Sequence, residues 1–461
     1  MKTEQQVVEF IRGVQLADVH PDAVTIVRRV LAGALATAVA GACEEGIEPL
    51  RRLLLQRGGA AQATSIVFGD RLPAASAALL NATMARALDF CDAMAPGVHV
   101  GSSVVPAALA AAESVGGCTG GDFLRAVVVG CEIGARFNLT EAMYDGMDPT
   151  GVASVFAATA AAGAIASLGE DQLCNALGLA LNRCGGSFQS NVDGSLAVRL
   201  QQGLVAQAAI ETVEYAAAGI TGPVNFLEGV YGYTHLYAHD RCAPEDFTDD
   251  LGDVWRLRGF MFKKYPSCGA TQGVTQLVLD AREELNLTSD AVERIVVTMP
   301  PYCQRLVGNP FVAGANPRVS AQFSVQYCVA NAIVRGTAGL REFRPEAVLE
   351  PSLAPLMAKV AVVGDAAMDR RGHSSVDVEI VLADGRRLRR GYDISPGYPG
   401  NDLDDHDHRR RFQECMEYAE LPLALNAGDE LLDLVQRLES EPDVLAHLDL
   451  LRSPAASRLA S

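Results

Sequence analysis

Three short stretches of the chain carry the residue types that proton-transfer chemistry needs. The first is ALDFCDAMAPGVHVGSSVVPAALAAAE, residues 87–113. A helical run ends in two acids, Asp89 and Asp92, a loop with Pro96 and Gly97 follows, and His99 stands ten residues after the first acid. Imidazole titrates near neutral pH, and a neighbouring carboxylate orients the ring and shifts its pKa. Loops held between rigid helices are where such groups tend to sit. A capped loop with a structural histidine has the same spacing, so position alone leaves both readings open.

The second stretch is FMFKKYPSCGATQ, residues 260–272. Lys263 and Lys264 precede Tyr265-Pro266, then a Ser-Cys-Gly turn leads into a helix. Free N–H groups at a helix start attract anions, and a lysine beside them adds charge. This is a candidate carboxylate site, or an ordinary loop with solvated lysines. The third is DGSLAVRLQQGLVAQAA, residues 193–209, where Arg199 stands in an almost uncharged run. Such an arginine must find a carboxylate, in the protein or on a ligand. Asp405-His406-Asp407-His408 has metal-capable side chains but sits in a run of charges typical of a solvated helix start. No zinc, P-loop, Rossmann or GxSxG spacing occurs.

The elements that must position these residues change character along the chain. From Val7 to about Gly232 the sequence reads as successive helices, among them Val24–Ala42, Ala74–Phe90, Val104–Val115, Phe123–Asn138 and Val155–Ser167. Glycine-rich breaks separate them, and Glu132 and Arg136 are spaced to pair on one face. After about Asp250 β-branched alternation appears. Val292–Met299, Met357–Val363 and Val376–Leu382 read as strands, and Asp384-Gly385 predicts a hairpin into Arg386–Tyr392. Helices are expected at Gly273–Leu285 and Ala321–Arg335. After SPGYPGN the chain returns to charged amphipathic helix. The fold class is therefore α+β: a large all-α domain, 1–258 with 398–461, and a smaller α+β unit, 259–397.

Composition bounds the rest. The 461 residues are half apolar, 6% aromatic, and carry a net charge of -18. That charge argues against nucleic acid and against an anionic membrane surface as partners. Eleven cysteines without a CxxC pair suit a reducing compartment, and the N-terminus has no apolar signal core. The expectation is a cytoplasmic protein with no membrane span.

The three stretches, taken in chain order, resemble the MmgE/PrpD family. So do GCEIGARFN, TGPVNFLEGVYGY, SAQFSVQYCVANAIVRG and GYPGNDLDDHD, and together they span about residues 5–440. The family includes 2-methylcitrate dehydratase, cis-aconitate decarboxylase and iminodisuccinate epimerase. The resemblance implies an all-α body with a smaller α+β lid, an active site between them, a homodimer, and proton transfer next to a carboxylate without metal or organic cofactor. It assigns Asp89 and His99 to the family's acid and histidine positions and Lys263 to the lysine opening the second motif. The family's catalytic lysine is Val198 here, with Arg199 beside it. Its histidines at the second motif are Cys268 and Gln272, and a threonine of the decarboxylases is Ala93.

On this basis Asp89, His99 and Cys268 are the expected catalytic residues. Lys263, Arg199, Tyr265 and Gln272 are expected to bind a small carboxylate. The expected reaction is dehydration. Decarboxylation, epimerisation or a silent ligand-binding relative are the alternatives, and no cofactor or metal is called for.

Overall fold

A computed structural model describes residues 2–456. It is helix-rich with a small sheet component, an α+β fold. Two apolar cores form. One gathers side chains from Val7 to Phe262 and again from Leu403 to Leu451, and the other gathers Cys268 to Leu382. The C-terminal helix Asp405–Tyr418 packs back on Pro21–Ala40.

The first core is built from alanine-rich helices that approach closely. Ala74–Arg86, Gly101–Ser114, Val155–Ile165 and Ala197–Ala217 pack on one another. Alanine loses no side-chain entropy in a helix and lets backbones come near. Among the described residues the stretch Pro21–Cys43 is long and apolar enough to cross a membrane, and 56% of its window is buried inside the fold.

The second core lies under a four-stranded sheet: β1 (Val292–Met299), β2 (Val360–Gly364), β3 (Val376–Leu382) and β4 (Arg387–Tyr392). The order is β2-β1-β3-β4. β1 runs parallel to β2, while β3 is antiparallel to both β1 and β4. The Asp-Gly turn is present, with Gly385 at φ 84, where a side chain would be strained. Helices Gln272–Leu285 and Val325–Arg335 pack against the sheet.

Several boundaries differ from expectation for local reasons. The helix expected to reach Phe90 ends at Arg86, and Asp89 adopts a left-handed φ of 51. The helix expected over Ala321–Arg335 is two: Pro317–Gln322, then a restart at Val325, where the Ser324 hydroxyl accepts the Tyr327 N–H. The strand expected from Met357 begins at Val360, because Ala354–Met357 forms a helical turn.

Glu132 and Arg136 pair as expected, fully buried, at 2.6 Å. Their remaining valences are filled. Glu132 accepts the N–H groups of Arg256 and Leu257, and Arg136 donates to the carbonyls of Asp249, Asp250 and Val254. The pair thus ties the segment 249–257 to the helical body. Glu132→Ala would strand a buried guanidinium, and a loss of about 3–5 kcal/mol is expected, read as a lower urea midpoint. A loss below about 1 kcal/mol would mean that water already solvates the pair.

Candidate active site

The first two motifs meet across a short antiparallel pairing, Asp92 opposite Phe262 and Ala93 opposite Met261. This ladder sets Lys263 beside Asp89, although they are 174 residues apart: the ammonium Nζ lies 2.6 Å from Asp89 Oδ1. A second tie comes from the AQFS segment. Gln322 donates to the Leu88 carbonyl at 2.7 Å, and its own carbonyl accepts the Cys268 N–H at 2.9 Å. The two cores are therefore stitched together at the site.

His99 is held by its backbone and its ring. Its N–H donates to Thr150 Oγ1, and its carbonyl accepts from Ser154 Oγ and Gln202 Nε2. Nδ1 lies 2.8 Å from the Asp92 carbonyl oxygen, which can only accept. The Nδ1 proton is thereby fixed, and Nε2 carries the lone pair. Arg86 Nη2 approaches that Nε2 at 3.4 Å. Burial first, then the charges of Arg86 and Lys263, push the His99 pKa well below its usual value. The ring is neutral at neutral pH, the form a general base requires.

Asp92 serves the loop. Its carboxylate accepts the N–H groups of Val100 and Gly101 at 3.3 and 3.0 Å, capping the helix that starts at Gly101. A Cβ on Gly101 would collide with that carboxylate, so glycine is needed there.

Asp89 is buried between two cations. It pairs with Arg86 as well as Lys263. Burial alone would raise its pKa, but Arg86 and then Lys263 outweigh it and hold it at about 2. Asp89 is thus a fixed anion. Its Oδ2 is buried with no hydrogen-bond partner. Cys268, also buried, is shifted the other way. Burial raises its thiol to about 11, so it stays protonated.

These groups line one cleft with about 50 Å³ of free space, room for a few waters. Arg86, Asp89, His99, Lys263 and Cys268 share it with Asp148, Gln202, Tyr302, His373 and Tyr398. Met94, Val198, Met261, Leu306 and Phe323 supply an apolar wall. Among the described residues, the one cluster of acids and histidine close enough to hold a metal ion is Asp404, His406 and Asp407, outside this cleft on the C-terminal helix start.

Three expected substrate-binding residues lie elsewhere. Arg199 is 3% exposed but does not line the cleft. It donates to the Glu45 carbonyl at 2.9 Å, beside the ion pair of Glu44 and Arg318. Gln272 is a loop clamp: it accepts the N–H groups of Lys264 and Tyr265 and donates to the carbonyls of Tyr265 and Ser267. Tyr265 donates its hydroxyl to Gln276 at 2.6 Å and faces a different groove. Sequence reasoning missed Arg86, which reads as an ordinary cation at a helix end. It also missed Asp148, whose signal was the isolated acid of GMDPTG, with burial raising its pKa.

A helical body and a small sheet unit meet over a buried cleft that holds acid and base side chains. The MmgE/PrpD N-terminal domain matches residues 5–245 and the MmgE/PrpD C-terminal domain matches residues 265–421, and the chain belongs to this family. It is also 26% identical over 341 residues to a cis-aconitate decarboxylase-like protein, oryM, of Aspergillus oryzae, covering 67% of this chain and 68% of that one.

Proposed function

We propose that the protein is a cofactor-independent dehydratase of a compact carboxylic acid with an apolar portion. Arg86 and Lys263 hold the substrate carboxylate, with Asp89 keeping both cations in place. His99 Nε2 takes the proton from the carbon next to that carboxylate. The electron pair forms the double bond and expels hydroxide, which takes the Cys268 thiol proton and leaves as water. Transfer of the proton from His99 to the thiolate restores both groups. The sheet unit, 259–397, acts as a lid, since so small a free volume admits substrate only on opening. The observation that supports this reading is the hydrogen bonding of His99: Nδ1 is held by the Asp92 carbonyl, so the lone pair of the neutral ring is on Nε2, met by Arg86 only at 3.4 Å, in a cleft that also holds Lys263.

A second reading, decarboxylation, draws on the name of the oryM relative. It uses the same cations and proton donors but loses carbon dioxide instead of water. A homodimer belongs to either reading, and exposed Val224, Val230 and Tyr231 offer apolar surface for a second copy.

The test is deuterium exchange. Small hydroxy acids incubated with the enzyme in deuterium oxide are expected to gain deuterium next to the carboxylate, or to yield an unsaturated acid, as followed by NMR. Release of carbon dioxide without that exchange would favour the second reading. A broad panel left unchanged would reject both.

A further inference from the structure

A second cavity, of about 350 Å³, lies behind the catalytic loop, between the helix Pro21–Ala40 and the helix Asp405–Tyr418. Four arginines line it: Arg28, Arg29, Arg409 and Arg411. Arg28 pairs with Glu439, and Arg29 with Asp405 at 2.9 Å. Asp433 is the other acid of the lining. Four cations against these three carboxylates leave a surplus positive charge, in a chain of net charge -18.

Three donor atoms on the lining residues are unfilled. Arg28 Nε, His408 Nε2 and Arg411 Nε are all buried without a hydrogen-bond partner. Arg411 is 6% exposed and has no carboxylate partner among the described residues. Its Nη1 faces His408 Nδ1 at 3.5 Å. Guanidinium can only donate, so His408 Nδ1 accepts and the proton of the neutral ring sits on Nε2. Burial, then Arg411 and Arg29, lower the His408 pKa to about 3, so the ring is neutral at ordinary pH. Three N–H donors on residues that line this cavity therefore have no acceptor among the described residues. A buried unpaired donor is costly, and an oxyanion with several lone pairs satisfies all three.

We propose that this cavity is a binding site for a phosphate-sized oxyanion, either free phosphate or the phosphate group of a small metabolite. Its position gives it a route to the catalytic loop. Arg411 Nη2 donates to the Phe90 carbonyl at 2.8 Å, and its guanidinium stacks over the Phe90 ring at 4.8 Å. Phe90 lies between Asp89 and Cys91. An ion that draws on Arg411 changes the hold on the segment carrying Asp89 and Asp92. This site is independent of the reaction proposed for the cleft.

The experiment is calorimetric titration of the full chain with inorganic phosphate at neutral pH, repeated with glycerol phosphate and with acetate. Saturable phosphate binding is expected, weakened about tenfold or more in Arg409→Gln, the loss of one charge-assisted contact. Arg411→Lys should weaken it too, with unchanged circular dichroism. Lys263→Gln, which alters the catalytic cleft, should leave phosphate binding intact. Tighter binding of glycerol phosphate than of phosphate would mark a metabolite's phosphate group as the ligand, and the reverse would mark the free ion. Hydrogen exchange at residues 89–92 should slow or quicken on phosphate addition. Binding lost in Lys263→Gln but kept in Arg409→Gln would place the ion in the catalytic cleft and overturn the proposal. So would the absence of saturable binding up to about 10 mM, the edge of useful affinity, or acetate binding equal to phosphate.

Discussion

His99→Asn is expected to lower turnover by about two to four orders of magnitude, the usual worth of a positioned acid or base. Asparagine can still donate to the Asp92 carbonyl in place of Nδ1, and the three bonds to the His99 backbone do not involve the ring. The loop should therefore keep its shape while the base is lost. Stability supplies an independent readout. The folded-state pKa of His99 is depressed, so below about pH 6.5 the unfolded chain binds a proton that the folded ring refuses. Stability attributable to this group is present above the unfolded pKa and falls away as the pH drops toward the folded one. The variant carries no such group. Its urea midpoint should fall less than that of wild type between neutral pH and about pH 5. A variant that is inactive only because it is unfolded at neutral pH would make His99 a structural residue. A fully active variant would remove it from the mechanism.

The sequence made Asp89, His99 and Lys263 legible because each is tied to a local signal: an acid after a helix, a histidine in a glycine-bearing loop, a lysine before a turn. Their meeting was not legible. It depends on the pairing of Asp92–Ala93 with Met261–Phe262, two residues on each side, too short for any alternation to announce. Facing was the other hidden quantity. Val198 and Arg199 are neighbours on one helix, yet a step of about 100° separates adjacent side chains, and it is Val198 that meets the cleft. Arg199 is turned to Glu45. Gln272 and Tyr265 lie inside a site motif and serve to shape its loop, which spacing does not distinguish from touching a ligand. The long helices and the hairpin, by contrast, follow from alanine-rich runs, β-branched alternation and an Asp-Gly turn, and their ends shift where a cap or a left-handed residue intervenes.

Neither 2-methylcitrate nor cis-aconitate is expected to be an efficient substrate. Each carries three carboxylates, and the cleft offers few cations to receive them. Arg86 and Lys263 line it, but both are engaged with Asp89. The two histidines of the cleft, His99 and His373, have pKa values lowered mainly by burial, so they bring no charge at neutral pH. Asp148 adds a further acid. Val198 occupies the wall where the family's lysine is expected, and Arg199 does not reach the cleft. After the Asp89 charge is set against Arg86 and Lys263, at most one positive charge remains, enough for no more than one carboxylate, and an ionised Asp148 reduces it further. Each further carboxylate buried without a partner costs on the order of several kcal/mol, and a penalty of about 4 kcal/mol already lowers a specificity constant roughly a thousandfold. A compact acid with one carboxylate and an apolar portion suits both the charge and the wall of Met94, Val198, Met261, Leu306 and Phe323. Direct assay of both tricarboxylates at millimolar concentration settles the matter. A specificity constant of roughly 10⁴ per molar per second or above, the ordinary range of enzymes, would mean that the lid brings further cations into the cleft or that Val198 is not where the lost charge mattered. Val198→Lys supplies the complementary result: a lysine on that wall should improve the use of tricarboxylates while weakening that of an apolar acid.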